Sequence, residues 1–250
     1  MIVFVTGATA GFGTAIARRF AADGARVIIA GRRSDRLDPL AAEIGPNALA
    51  LTLDVRDRAA IEAAVAGLPA DFAEIDLLVN NAGLALGLEP AHQASLDDWE
   101  QMVDTNVKGL MTMTRAVLPG MVARNRGHVI NIGSIAGEWP YPGGNVYGAT
   151  KAFVRQFSLN LRADLLGTAV RVSNVEPGLC GGTEFSNVRF HGDDQRAAGI
   201  YENTTPLTAD DIADTVHWIA TRPAHVNINT ISLMPVVQAF SPLAVRRAQS

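Results

Sequence analysis

Two kinds of apolar pattern alternate along the chain. Short runs without polar alternation lie at residues 2–5, 26–30, 48–53, 75–79, 128–132, 169–175 and 228–233. A strand buried on both faces reads this way, because neither face of its sheet meets water. Between these runs, apolar residues recur every three or four positions and predict helices over 14–22, 37–44, 57–66, from 99 onward, 149–166 and from 208 to about 220. Ser95-Leu96-Asp97-Asp98 and Thr208-Ala209-Asp210-Asp211 read as capping boxes, and Leu118-Pro119-Gly120 as a bend or restart. In the helix over 149–166, Phe153, Phe157, Leu161 and Leu165 form one stripe, while Ala149, Ala152 and Leu159 add apolar cover elsewhere. Two apolar faces predict packing on the sheet and on another subunit.

Strands alternating with helices, without repeats or low-complexity linkers, predict an α/β, doubly wound Rossmann fold. Its seven-stranded, mostly parallel sheet would be flanked by helices. A single domain over 1–250 is expected, with a lid at about 179–206 and a tail at about 234–250 carrying Arg246 and Arg247. Ligands of such sheets lie beyond the carboxyl ends of the strands, and the unusual segments of this chain stand there. The first strand runs into Thr6-Gly7-Ala8-Thr9-Ala10-Gly11-Phe12-Gly13 and then a helix. Glycines let the backbone turn and let a pyrophosphate approach free N–H groups at the helix end.

The second strand ends in Gly31-Arg32-Arg33, where an NAD-binding unit usually carries an acidic residue. Arginines suit a 2′-phosphate, so NADP(H) is the expected cofactor, against the plainer reading of two solvated arginines. Asp54, followed by Val55, could accept from an adenine amino group or cap the next helix. Asn80-Asn81-Ala82-Gly83 follows the fourth strand, and its paired asparagines beside small residues suggest something flat against the loop. Asn106 interrupts a helical face, either as a satisfied core polar residue or as a site residue.

Ser134 follows the fifth strand, with Tyr147 thirteen residues on and Lys151 four beyond that. Tyrosine and lysine at i and i+4 share one helix face. An ammonium beside a phenol favours the phenolate, which makes a proton donor and acceptor usable near neutral pH.

Composition narrows the field. Hydrophobic residues make up 48% of 250, enough for a sizeable core. A formal net charge of −4 lends no support to nucleic-acid or anionic-membrane binding. The single cysteine, Cys180, builds neither an intramolecular disulfide nor a cysteine metal site, and the histidines do not cluster. A cytoplasmic enzyme without metal is expected.

Taken together these motifs resemble the short-chain dehydrogenase/reductase family. The glycine motif is Thr6 to Gly13, the NNAG motif Asn80 to Gly83, the catalytic set Asn106, Ser134, Tyr147 and Lys151, and the PG turn Pro177-Gly178. Gly83-Leu84-Ala85-Leu86-Gly87, Trp139-Pro140-Tyr141, Glu176-Pro177-Gly178-Leu179 and Gly182-Thr183-Glu184-Phe185-Ser186 are similar to its NADP-dependent 3-hydroxy acid dehydrogenase branch. The resemblance implies a homotetramer and a cofactor held by Gly7, Thr9, Ala10, Gly11, Phe12, Gly13, Arg32, Arg33, Asp54, Val55, Asn81, Ala82, Gly83, Tyr147, Lys151, Pro177, Gly178 and Thr183. It implies that Tyr147 exchanges the substrate proton, that Ser134 orients the oxygen, that Lys151 also bonds the nicotinamide ribose, and that Asn106 holds a water linking Lys151 to solvent.

A 3-hydroxy acid also needs something to receive its carboxylate. Arg189, His191 and Arg196 in the presumed lid are candidates, Arg189 first, and Gly143 and the loop from Pro177 to Gly182 offer backbone contacts. Glu176 would be an awkward neighbour for an anion, suited to holding the lid or a substrate amino group. A broad carbonyl or aldehyde reductase and a non-catalytic NADP sensor are the competing readings.

Overall fold

The computed structural model describes residues 1–240; the tail beyond them, with Arg246 and Arg247, lies outside the described residues. In chain order the elements are β1 (Ile2–Thr6), α1 (Gly11–Ala22), β2 (Arg26–Gly31), α2 (Ser34–Ile44), β3 (Ala48–Thr52), α3 (Arg58–Ala66), a short α4 (Ala70–Ala73) and β4 (Leu77–Asn80). Then come α5 (Leu96–Val103), α6 (Leu110–Ala123), β5 (Gly127–Ile132), α7 (Asn145–Asp164), β6 (Val170–Pro177), α8 (Phe185–Arg189), α9 (Asp194–Gly199), α10 (Ala209–Ala220) and β7 (Thr230–Leu233).

The strands form one seven-stranded sheet in the order β3-β2-β1-β4-β5-β6-β7. Every pairing is parallel, so the expected "mostly parallel" sheet is wholly so. Successive strand residues go to opposite faces. Val3 and Val5 join one core cluster with Ile16 and Phe20 of α1 and Ile212, Val216 and Ile219 of α10. Phe4 joins the other with Ile61 of α3, Met113, Val117 and Met121 of α6, and Leu161 of α7. With helices covering both faces, no strand needs a polar side, which is why the strand runs are continuously apolar. The strand order reverses between β1 and β4, the place where a crevice opens at the carboxyl edge of such a sheet.

Several expectations are corrected. No break occurs at Pro119: α6 runs through it, and Met113, Val117 and Met121 stay buried on one continuous face. The lost N–H is outweighed by that packing. The stripe read on α7 holds in part: Leu161 and Leu165 are buried and Phe157 packs against the same core, but the inward face also carries polar groups. Tyr147, Thr150, Lys151, Val154, Ser158 and Leu161 face inward, while Phe153 and Phe157 are half-buried and stack at 5.6 Å. A hydrophobic pattern cannot register polar groups that face inward because partners await them. Ala149, Ala152 and Leu159 remain exposed, as the second face required.

Of the two capping boxes, that at Thr208 forms fully. Ser95 caps Asp98, but the Asp98 carboxylate turns to His191 instead of completing the box. Among the described residues, no helix is long and apolar enough to cross a membrane.

Candidate active site

Backbone geometry builds the first wall. Gly7 and Gly11 adopt φ of +67° and +52°, a region that side-chain-bearing residues rarely enter. A Cβ on Gly7 would lie 2.9 Å from the Ala82 Cα, and one on Gly13 would lie 2.3 Å from the Gly7 carbonyl oxygen. The loop after β1 therefore turns tightly against the loop after β4. Asn81 locks the two together: its Nδ2 donates to the Thr6 and Gly7 carbonyls at 2.8 and 3.2 Å. The Thr6 hydroxyl accepts from the Asn81 and Ala82 N–H groups. Asn80 is buried and donates to Thr114 and Asn131 at 2.9 Å each. The paired asparagine amides thus bind the protein's own loops, while Asn81, Ala82 and Gly83 still face the cavity.

The start of α1 has no side-chain cap, so its first N–H groups remain available beside Thr9 to Phe12. Helix ends of this kind attract phosphate. At the end of β2, Arg33 reaches the Thr9 hydroxyl at 3.0 Å, and Arg32 is exposed with no ion pair among the described residues. Arg33 is not wholly free, however. Glu184, just before α8, pairs with Arg33 at 2.9 Å and with Arg36 at 2.7 Å, and these arginines hold its carboxyl below the usual range. Asp54 is gripped by Arg56 at 2.6 Å, while the cap of α3 is Asp57, which settles that alternative against Asp54. An uncapped helix start, a crowded glycine turn and unpaired Arg32 together fit a dinucleotide with a 2′-phosphate.

The second wall carries the reactive groups. Ser134 follows β5 in extended backbone, and its Oγ accepts from the Ala136 N–H at 3.1 Å. Helix α7 begins at Asn145, so Tyr147 and Lys151 occupy its first turns and both are buried. Lys151 Nζ donates to the Ile132 carbonyl at 2.8 Å and lies 5.8 Å from the Tyr147 ring centroid. Burial pushes the Tyr147 phenol up to about 12; a hydrogen bond with Ser134 and the charge of Arg189 act in the opposite direction. Burial lowers Lys151 to about 8. The expectation that the lysine sets the phenol's acidity is therefore corrected: desolvation is the largest influence on both groups.

Asn106 sits in a π-helical turn, Asp104–Gly109, between α5 and α6. The widened turn frees its side chain from the helix ladder. Its Oδ1 accepts from the Leu84 N–H at 2.9 Å, and its Nδ2 donates to the Leu84 carbonyl at 2.8 Å and to the Thr150 hydroxyl at 3.0 Å. It ties the loop after β4 to α7, close to Lys151.

One cavity of about 570 Å³ joins these walls, within the range of small-molecule sites. Gly7, Thr9, Ala10, Gly11, Phe12, Arg32, Arg33, Asp54, Val55, Asn81, Ala82 and Gly83 line it. So do Ser134, Tyr147, Lys151, Pro177, Gly178, Thr183 and Arg189. Gly13, Asn106 and Gly143 are not on its surface. Gly143 has a φ of +78°, and a Cβ there would meet the Leu88 carbonyl oxygen at 2.4 Å, so it serves a close loop contact.

His191 pairs with Asp98 and Arg196 lies 3.7 Å from Glu89, both largely exposed, and neither lines the cavity. Glu176 is fully buried, bound to Arg155, Asn174 and Ser232 between β6, α7 and β7; it holds neither lid nor substrate. Sequence reasoning missed Tyr141, Arg56, Glu184, Phe185, Gln238 and Phe240 as cavity residues. Phe185 meets Tyr147 edge-on at 5.9 Å, and Phe240 lies 4.5 Å from Trp139. Arg56, Gln238 and Phe240 come from segments with no motif of their own. Tyr141 lay in a pattern that marked it, Trp139-Pro140-Tyr141, and Glu184 and Phe185 in another, Gly182-Thr183-Glu184-Phe185-Ser186. Among the described residues, no cluster of three or more metal-binding side chains occurs.

Known proteins share this sequence and fold. The short chain dehydrogenase family matches residues 1–193. The chain is 69% identical to NADP-dependent 3-hydroxy acid dehydrogenase YdfG of Salmonella typhi, over 99% of this chain and all of that one. It is 52% identical to serine 3-dehydrogenase of Rhizobium radiobacter, covering 98% of each. Among solved structures, the closed form of a serine dehydrogenase complexed with NADP⁺ is 66% identical and superposes with a TM-score of 0.98, over 99% of this chain and 100% of that one. With glycine turn, Asn81 lock and Ser134–Tyr147–Lys151 wall on one cavity, this chain belongs to the short-chain dehydrogenase family.

Proposed function

We propose that this protein transfers hydride between NADP and the hydroxyl carbon of a small 3-hydroxy acid, of the serine, allo-threonine or 3-hydroxypropionate type. As a short-chain dehydrogenase it is an oxidoreductase acting on CH–OH groups, and its cofactor is NADP(H). The observation that carries the reading is the convergence of Ser134, Tyr147 and Lys151 on the cavity that also holds the glycine turn and Arg32.

When bound, NADP supplies the carbon that accepts or gives hydride. Thr9 to Phe12 and the start of α1 receive its phosphates, and Arg32 and Arg33 its 2′-phosphate. Tyr147 takes the proton from the substrate hydroxyl in oxidation and returns it in reduction. Ser134 donates to the same oxygen and stabilises the charge that develops there. Lys151, held by the Ile132 carbonyl beside the phenol, is placed to bond the nicotinamide ribose. Asn106 is a positioning residue that sets α7 against the loop after β4. The segment over 179–206 acts as the lid, with Thr183 touching the phosphate loop: a Cβ on Gly11 would lie 3.2 Å from the Thr183 side chain.

The exposed Ala149, Ala152 and Leu159 on α7 support packing against another subunit, and the homotetramer itself is what the family resemblance implies. A cytoplasmic location belongs to the same reading, and the lone cysteine supports it. Initial rates with serine, allo-threonine, 3-hydroxypropionate and matching neutral alcohols, each with NADP⁺ and NAD⁺, test it. Preference for the acids with NADP⁺ is expected; indifference to the carboxylate means a broad carbonyl reductase instead.

A further inference from the structure

Arg189, the last residue of α8, is only 9% exposed. Among the described residues it meets no carboxylate. Its Nε donates to the Gly87 carbonyl at 3.3 Å and its Nη2 to the Tyr141 hydroxyl at 2.6 Å. Its Cζ lies 5.6 Å from the Tyr141 ring centroid and 5.5 Å from that of Tyr147. Two neutral oxygens and two aromatic rings thus surround a buried positive charge. Cation–π attraction returns only about 0.5–2 kcal/mol, less than the several kcal/mol that desolvating an ion takes. A buried guanidinium with spare N–H groups in a cavity wall calls for an anion.

We propose that Arg189 and Tyr141 form the receiving site for the substrate carboxylate, an inference that rests on the 3-hydroxy acid reading. Tyr141 enters from the loop before α7 and Arg189 from α8, so the pair spans the cavity beside the acid/base residue. The Tyr141 hydroxyl accepts from Arg189 and keeps its own proton to donate. A carboxylate here accepts from two sources at once, the free guanidinium N–H groups and the phenol. In a 3-hydroxy acid one carbon separates the hydroxyl carbon from the carboxyl carbon. That short reach matches a cation packed on the Tyr147 ring itself. A substrate with a longer spacer would carry its carboxylate past the guanidinium.

Backbone contacts reinforce the placement. The Gly87 N–H donates to the Arg189 carbonyl at 2.9 Å, so the end of α8 is pinned to the loop after β4 at both its main chain and its side chain. Arg189 is held where an anion can use it without further adjustment, which reduces the entropy lost on binding. The charge also faces the phenol, where it draws Tyr147 toward ionisation.

The test compares kcat/KM for 3-hydroxypropionate and for its methyl ester, with NADP⁺, in the wild type, Arg189→Gln, Arg189→Lys and Tyr141→Phe. Loss of a charge-assisted hydrogen bond predicts about a 10- to 100-fold fall in the acid-to-ester ratio of kcat/KM for Arg189→Gln, whatever the common loss from the changed field at Tyr147. Arg189→Lys recovers part of the acid preference. Tyr141→Phe lowers the acid by about tenfold and spares the ester. Parallel losses on acid and ester would show that Arg189 merely holds the lid, and overturn the proposal. An unchanged acid-to-ester ratio in Tyr141→Phe removes Tyr141 from it, even if Arg189→Gln does not fold. A wild type that does not prefer acid over ester refutes the 3-hydroxy acid reading itself. A wild type that does, with an Arg189→Gln variant that keeps the preference, refutes only the carboxylate site.

Discussion

Arg33 and Glu184 are joined at 2.9 Å, linking the arginine at the end of β2 to the residue that precedes α8. Arg36 grips the other carboxylate oxygen at 2.7 Å. The segment proposed as a lid is thereby fastened to the same arginine that the 2′-phosphate of the cofactor is proposed to use.

The latch predicts salt sensitivity. All three side chains are about two-fifths exposed, so each pair is worth little alone, roughly 0.2–1 kcal/mol, and is screened by salt. Glu184→Gln should lower kcat/KM for the hydroxy acid a few-fold at about 0.05 M salt, and converge with the wild type at about 0.5 M, where the Debye length is shorter than the typical spacing between surface charges. Steady-state rates at the two salt concentrations check this. A deficit that persists undiminished at high salt would mean that Glu184 acts otherwise.

Cofactor choice is expected to reside in the arginines. Replacing Arg32 and Arg33 by Ala together removes charge-assisted hydrogen bonds worth about 1.5–3 kcal/mol each to a phosphate. KM for NADPH should rise by about 10- to 100-fold or more while KM for NADH stays within a few-fold. Equal losses for both cofactors would disprove the 2′-phosphate role.

Tyr147 ties the rate to pH. With burial holding the phenol up near 12, it is protonated at neutral pH, ready to donate in reduction. Oxidation needs the phenolate, whose fraction grows with pH. The oxidation kcat/KM should therefore climb from about pH 7 to about pH 10 more steeply than that of reduction. Tyr147→Phe should lose about 10²–10⁴-fold in both directions and show no such climb, while still binding NADPH as followed by cofactor fluorescence. Near-normal turnover in that variant would remove Tyr147 as the proton carrier.

Lys151 makes a prediction about stability. Burial lowers it from 10.5 to about 8, so between those values the unfolded chain holds a proton that the folded chain has released. Stability rises with pH wherever the unfolded state binds more protons. The lysine's contribution is accordingly least favourable below pH 8 and improves as pH rises toward 10.5. Urea unfolding of wild type and Lys151→Met should show their difference shifting in favour of the wild type from about pH 7 to about pH 9.5. A difference that is flat across that window would mean that Lys151 titrates normally in the fold.

What was legible in the sequence was whatever is local. The run from β1 through Gly7 and Gly11 into α1 is decided within a dozen residues, because a positive φ and an uncapped helix start are properties of short backbone segments. The spacing of Tyr147 and Lys151 needed only the helix repeat. Continuous apolar strands separated by helices likewise dictated a parallel, two-sided sheet.

Other features were beyond that reach because they are decided by which distant segments meet. Asn80 and Asn81 pair with Thr114, Asn131 and the β1 loop, partners 34 to 75 residues away. Pro119 stays helical because core contacts on either side hold it. Asn106 is accommodated by a π turn that no propensity signals. Tyr141 and Arg189 are 48 residues apart and meet only when α8 folds over α7. The sequence by itself determined the fold and marked the candidate cofactor loop and reacting groups, all set by backbone geometry and short spacings. The tertiary structure alone decided that burial governs Tyr147 and Lys151, that Glu184 pairs with Arg33 and Arg36, and that Arg189, though buried, meets no carboxylate among the described residues. Desolvation and partner choice depend on the whole set of neighbours, and the packed chain alone assembles that set.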